Sequence, residues 1–488
     1  MARFLVALIL PWLATYSWVS VWMLRCTQGR PRRWLSACLA LGFSLGFSSL
    51  GYFLGLQLGM SAEAGSFAAE AVVWTVLGLF GLRTLRRSAS CAVPGQPWTR
   101  DTKLLLAVFA LALVLALVGT AGMYPGLSHG DGDAWAIWNQ RARFLFRSGA
   151  DWKQAFSPLF AHSDYPLLIP ATNARLWTRL GADSPWVPWL AGILFMFSTV
   201  GMLAAATSAL RSRVQGFLAG LALLGSLAYL AHGAHQYADV PLSFFYLATV
   251  VLLSLCDTRG LGPLAMADGH SAPASPYAGE GGAEPSRTPL LVLAGAAAGL
   301  AVWTKNEGWL FLAVVFAVRC WFAWRRQGRG GILEELPPLA IGALPAVAIT
   351  LWFKTTLVTT GNDLVQGQGM IATLARLLDF SRYGLVAQAV VTHGFHLGKA
   401  LTIVLPLCLL LLGPAKGRSR AAAAVPAVAA VLLLTGLGYC FVYLTTPHDL
   451  RWHLGTSMER LLMHVFPLAV YLLFLYCATP EELGAKGL

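Results

Sequence analysis

The chain has 488 residues, of which 57% are hydrophobic and only 12% charged. A soluble globular chain carries about twice that charged share, so composition excludes an ordinary soluble domain. The formal net charge of +13 would suit a nucleic-acid partner, but it sits in short clusters between apolar runs: Arg30, Arg32, Arg33; Arg83, Arg86, Arg87; Arg211, Arg213; Arg325, Arg326, Arg329; Lys416, Arg418, Arg420. Such clusters are retained on the cytoplasmic side of a membrane, so the excess reads as a topology signal and no nucleic-acid partner is expected.

A bilayer core takes roughly 20 apolar residues to cross. By that rule the chain predicts spans at roughly 4–24, 34–58, 68–82, 104–123, 186–209, 214–231, 240–256, 289–304, 308–324, 336–353, 396–412, 422–444 and 461–478, about thirteen in all. The first carries one Arg before it and lacks a small-residue cleavage site, which predicts a retained helix rather than a signal peptide. With the N-terminus outside and the C-terminus cytoplasmic, every basic cluster falls inside. The fold class expected is therefore an all-α polytopic membrane protein with the lipid bilayer as a partner. Besides a short loop near Glu63, the segments predicted outside are 124–186, 231–239, 305–307, 355–397 and 445–460. On the inside, 259–287 is rich in Pro, Ser, Gly and Ala and reads as a flexible linker. The 8 cysteines are scattered singly, mostly within or at the ends of apolar runs, with no CxxC pair; neither a metal ribbon nor a disulfide framework is implied.

In the first large outer loop, 134–146 sets Trp135, Ile137, Trp138, Ala142 and Leu145 against Gln140, Arg141, Arg143 and Arg147. This predicts an amphipathic helix at the membrane interface. A second such segment is expected at 167–180, after the turn His162-Ser163-Asp164-Tyr165-Pro166, and a third between 371 and 391.

Four groups of residues carry candidate chemistry. Gly130-Asp131-Gly132-Asp133-Ala134-Trp135 places two carboxylates where a membrane helix has ended and an interfacial one begins. Helix capping explains one Asp but not both. Gln236-Tyr237-Ala238-Asp239-Val240-Pro241 follows His232 and His235, and an Asp near a Pro also opens a helix well. Thr304-Lys305-Asn306-Glu307-Gly308 is a charged tip between two apolar spans. A bland lysine there snorkels to the headgroups, whereas ionisable groups at membrane depth are functional candidates by default. His448-Asp449-Leu450-Arg451-Trp452-His453, continuing to Arg460, reads either as a solvated loop or as cations suited to a lipid-linked phosphate; its spacing matches no strong zinc signature. Together these loops offer carboxylates able to take a proton from a hydroxyl and cations able to stabilise a departing phosphate.

These residues resemble bacterial membrane glycosyltransferases of the GT-C superfamily, in the group similar to protein O-mannosyltransferases and lipopolysaccharide sugar transferases. The resemblance rests on Gly132-Asp133-Ala134-Trp135-Ala136-Ile137-Trp138 with Arg141-Ala142-Arg143, on Asp164-Tyr165-Pro166-Leu167-Leu168-Ile169-Pro170, and on Gln236-Tyr237-Ala238-Asp239-Val240-Pro241-Leu242. Thr304-Lys305-Asn306-Glu307-Gly308 and Trp452-His453-Leu454 through Arg460-Leu461 look like the later motifs. It covers residues 104–488, with 124–186 as outer catalytic loop and 257–288 as linker, and leaves 1–103 as a three-helix extension. The resemblance implies a GT-C fold, a polyprenyl-phosphate sugar donor, an extracytoplasmic glycan, lipid or protein acceptor, and inversion at the anomeric carbon. It implies Asp133 as catalytic base, with Asp131 departing from the usual pattern, and Asp239 as second acidic position. Lys305, His453 and Arg460 would contact the donor phosphate, while Asn306, Glu307, Asp164, Tyr165, His235, Tyr237 and Trp138 complete the expected substrate-binding set. No cofactor is expected; a divalent metal is compatible with the family but not indicated. The site would face the periplasm from a bacterial inner membrane. An outer-face ligase or polymerase using a diphosphate-linked donor is the nearer alternative, and a lipid-linked sugar transporter the more distant one.

Overall fold

The computed structural model describes residues 1–24, 30–60, 64–88, 98–258, 287–358, 369–399, 401–415, 420–479 and 482. The expected linker, apart from Arg287, and the loop at Glu63 lie outside the described residues. Within them the chain forms helices and no strand beyond one isolated bridge, Pro414 to Cys477. A helix satisfies all its backbone polar groups internally, the condition for crossing lipid.

Four long helices come first: α1 (Ala2–Met23), α2 (Arg30–Gln57), α3 (Ala64–Ser88) and α4 (Arg100–Met123). The first large loop then holds a short π-helix (Ala134–Asn139), α5 (Gln140–Arg147), a 3-10 segment (Gly149–Phe156) and α6 (Leu168–Leu180). Next are α7 (Trp186–Leu210), α8 (Arg213–Leu224), α9 (Leu227–Ala234), α10 (Asp239–Asp257) and α11 (Thr288–Thr304). The chain ends with α12 (Glu307–Thr356), α13 (Met370–Leu378), α14 (Phe380–Gly398), α15 (Leu401–Leu412), α16 (Arg420–Thr445) and α17 (Leu450–Tyr476). Among the described residues nine helices are long and apolar enough to cross a membrane. The number is eleven if the bent pairs α8 with α9 and α14 with α15 each count as one span. The molecule thus has the build of a multi-pass membrane protein.

The 50 residues of α12 would reach about 75 Å as a straight helix, yet both ends meet at one residue. Asn306, before its first turn, donates to Asp164 Oδ2 at 2.7 Å, and Lys354, in its last turn, donates to the Asp164 carbonyl at 2.9 Å. The helix therefore folds back on itself. It does so at Gln327 and Gly328, where the backbone leaves helical geometry; Gly328 has φ 59° and ψ −140°, a conformation that glycine alone adopts without strain. Four charges staple this bend to the end of α10. Arg319 and Arg326 each bond both Asp257 and Glu335.

Small residues let α11 lie directly against the second limb of α12. A Cβ on Gly295 would stand 1.9 Å from the Leu339 carbonyl oxygen, and one on Gly342 2.0 Å from that of Val292. Helices in lipid associate largely through such close backbone approach. α10, whose spanning stretch is wholly buried, is the central helix of the bundle. The N-terminal helices are packed into the same bundle. A Cβ on Gly42 of α2 would strike the Phe244 ring of α10, and Trp303 Nε1 of α11 donates to Ser49 Oγ of α2 at 3.0 Å.

The first large loop departs from the expected interfacial pattern at one position of 134–146. Arg141, expected on a polar face, is buried. Its guanidinium donates to the carbonyls of His162 (2.6 Å) and Tyr165 (3.1 Å), the two ends of a turn that the Tyr165 amide closes onto the His162 carbonyl at 3.0 Å. Nor is α6 interfacial: Leu168 through Trp177 are all buried. The third expected segment is two helices, α13 and α14, divided at Asp379, whose side chain caps α14. The loop expected at 445–460 is helical from Leu450, with Asp449 as its cap, accepting from the Trp452 amide at 2.8 Å.

Candidate functional site

Four separate stretches of sequence meet around Asp239. It is the first residue of α10 and its side chain is completely buried. Its side chain caps nothing in α10, so the capping explanation does not apply. Instead Asp239 Oδ1 accepts from Lys305 Nζ at 2.9 Å and lies 2.6 Å from His464 Nε2, while Oδ2 accepts from Arg460 Nε at 3.2 Å. A buried carboxylate persists only when paired and hydrogen-bonded; this one has three partners, from the α11–α12 tip and from α17.

Arg460 reaches onward. Nη1 pairs with Asp133 Oδ2, and the guanidinium stands over the Tyr237 ring, 4.9 Å from its centroid. Asp133 precedes the π-helix and likewise caps nothing; its side chain is 39% exposed. Here the two acidic positions diverge. Asp133 is an accessible carboxylate with a cation beside it, whereas Asp239 is the internal anchor holding that cation.

Asp131 is more exposed still and accepts from Tyr237 Oη at 3.3 Å, with His235 Nδ1 at 3.6 Å. Burial, together with Asp131, raises the Tyr237 pKa above the ordinary phenol value, so it stays protonated and donates. Burial and then His232 lower that of His235, against the pull of Asp131. Both groups thus meet Asp131 as neutral neighbours near pH 7.

The Lys305 tip is not a surface lysine. Its ammonium is 3% exposed and paired with both Asp239 and Glu307 Oε1, the latter at 3.0 Å. Lys305 was expected at the donor phosphate; in this structure its ammonium points inward and holds Asp239 and Glu307 together. Asn306 reaches instead to Asp164, which also takes Lys354. Two buried acceptors at this tip, Glu307 Oε2 and Asn306 Oδ1, have no hydrogen-bond partner among the described residues. Tyr165 stacks between Trp138, at 5.5 Å, and His162, at 4.7 Å. Burial lowers the Arg141 pKa to about 10 against the pull of Asp164 and Tyr165; it remains a cation at neutral pH and fixes this turn.

His453 stands apart from the Asp239 group. Its Nδ1 lies 2.9 Å from Thr446 Oγ1 and its ring packs on Tyr443 and His448. It shares a face of α17 with Arg460, seven residues and about 10 Å further along.

Several participants have no counterpart among the sequence motifs. His464 is wholly buried, with Nδ1 3.1 Å from Tyr439 Oη, which in turn lies 3.0 Å from Tyr246 Oη; Tyr246 donates to the Glu307 carbonyl at 2.9 Å. An ionisable side chain within an apolar span was the available signal for His464. Three buried amides join the two acidic loops. Asn173 Nδ2 donates to Asn139 Oδ1 at 3.1 Å, and Asn139 Nδ2 to Gln236 Oε1 at 2.7 Å. Gln236 Nε2 donates to the Leu127 carbonyl at 2.9 Å. Of these amides only Gln236 belonged to a sequence motif; Asn139 and Asn173 carried no signal.

Among the described residues no group of three or more His, Cys, Asp or Glu side chains is arranged to hold a metal ion. Comparison of the chain with protein-family models, with curated proteins and with solved structures gave no match.

Proposed function

We propose that the chain is an inverting glycosyltransferase of GT-C type, moving a sugar from a polyprenyl-phosphate-linked donor to a hydroxyl acceptor on the periplasmic side of a bacterial inner membrane. The observation that carries this reading is the accessible Asp133 carboxylate beside Arg460, with that guanidinium secured from behind by buried Asp239. The transfer needs both groups lining one site: a base for the acceptor and a fixed cation for the leaving group.

In one step the acceptor oxygen attacks the anomeric carbon on the face opposite the phosphate. Its proton passes to Asp133. The bond between the anomeric carbon and the phosphate oxygen breaks, and polyprenyl phosphate departs with the electron pair, its charge met by Arg460. A phosphate leaves without a general acid. When a donor phosphate takes up Arg460, the Asp133 carboxylate is released from its partner and can face the acceptor hydroxyl. Glu307 Oε2 and Asn306 Oδ1, acceptors without partners among the described residues, suit sugar hydroxyls. In this reading Tyr165, Trp138 and Asp164 form the wall of the site, and Asp239 and Lys305 act behind it. Counting α11 and the second limb of α12 as further spans gives the thirteen crossings of the proposed topology.

The test is transfer of radiolabelled sugar from a panel of short-chain polyprenyl-phosphate sugars by purified protein, with Asp133→Asn alongside. Wild type should release label, and the variant should be slower by about 10²- to 10⁴-fold. Full activity in a correctly folded Asp133→Asn protein would remove the proposed base. Folded wild type that turns over no monophosphate donor, but does use diphosphate-linked ones, would replace this reading with the ligase.

A further inference from the structure

α3 lies at the edge of the bundle, with almost none of its spanning stretch buried. A carboxylate on such a helix is costly in lipid unless it is paired, yet α3 carries one, Glu70. It accepts from Arg175 Nε at 2.7 Å and Arg179 Nη2 at 3.0 Å. These arginines lie four residues apart on one face of α6, with side chains only 2% and 6% exposed. Arg175 also donates to the Ala7 carbonyl of α1 at 2.8 Å, and the Arg179 guanidinium lies over the Phe67 ring of α3. The first and third helices thus grip α6 through one acid and two buried cations.

Asn173 lies about 200° around α6 from Arg175. It bonds Asn139, the last residue of the π-helix that begins after Asp133, and Asn139 bonds Gln236, three residues before Asp239. α6 therefore stands between the N-terminal helices on one side and both acidic loops on the other.

We infer that the three N-terminal helices belong to the working part of the molecule, and that Glu70 is a positioning residue which sets the Asp133 loop through α6. Contiguity alone does not establish coupling; a measured response at one end to a change at the other does. Glu70→Gln keeps the shape of the side chain and removes its charge, leaving two buried guanidiniums facing a neutral amide.

The experiment is hydrogen exchange on the full-length protein in detergent, wild type against Glu70→Gln. Amides of 134–147 and 168–180 should exchange faster by about tenfold or more, as expected when a local opening becomes easier, while α10 and α17 keep their protection. Unchanged exchange at 134–147 overturns the inference, and a uniform rise through the whole chain reduces Glu70 to a general stabilising residue. A second arm, which rests on the glycosyltransferase reading, compares kinetics. Glu70→Gln should lower kcat by on the order of 10²-fold, the scale of a small misplacement of a reacting group. KM for the donor should stay within about twofold if the loss is confined to the transition state. Glu70→Asp, which keeps the charge, should recover part of the rate. Should no donor be turned over, the exchange measurement still decides the inference by itself.

Discussion

Asp133 and Asp239 share Arg460, but one faces outward and the other has no exposed surface, so identical substitutions should have different costs. Asp239→Asn leaves Lys305 and Arg460 buried beside a neutral amide. Breaking a buried pair in this way costs about 3–5 kcal/mol, visible as a large drop in thermal stability of the purified protein. Asp133→Asn removes a partly exposed pair, worth about 0.2–1 kcal/mol, and should melt close to wild type while losing transfer. Equal melting of the two variants would contradict the assignment of anchor and base. At this scale the sequence made the charged residues of the four loops legible because ionisable groups are conspicuous among apolar runs. Their direction was not legible. Whether Lys305 snorkels outward or turns in to Asp239 depends on where α10 and α17 place their charges, which no local spacing reports. Arg141 misled for the same reason: its periodicity put it on a polar face, but the carbonyls of the His162–Pro166 turn, distant in sequence, bury it.

Among the elements, hydropathy located the long apolar helices because length and apolar content are what a bilayer demands. The bend of α12 was legible too, since the polar stretch between its limbs interrupts the apolar run; the staple of Arg319, Arg326, Asp257 and Glu335 was not, since its partners come from two helices. Gly328→Ala tests the bend directly. Nothing lies within 4 Å of a Cβ built there, so the cost is one of backbone conformation alone, about 1–3 kcal/mol. Thermal unfolding should report that loss, whereas Gly330→Ala, two residues on and equally open, should be nearly neutral. If the two substitutions behave alike, the chain does not turn at Gln327 and Gly328. The loop elements were the least legible part. α6 reads as amphipathic but is buried on every side, because α1, α2 and α3 cover the face that would otherwise meet the headgroups.

For the molecule as a whole, charge separates the two ends of the central helix. Its N-terminal end carries the Asp239 group with Asp133 and Glu307, and its C-terminal end carries Asp257 with the arginines of the α12 bend. Basic residues held beside short connections stay on the cytoplasmic side during insertion; the proposed orientation therefore has the bend inside and the acidic loops outside. This orientation decides the chemistry, since a lipid-linked monophosphate donor is used on the far side of the membrane from nucleotide sugars. Two single cysteines in a cysteine-free background measure it. Leu159, 91% exposed in the first large loop, and Arg329, exposed just beyond the bend, are each replaced by Cys. A membrane-impermeant maleimide applied to intact spheroplasts should label Leu159→Cys at once and Arg329→Cys only after lysis. The reverse pattern would turn the acidic site toward the cytoplasm, where a soluble nucleotide-linked donor becomes the natural partner for Arg460 and the lipid-phosphate mechanism fails.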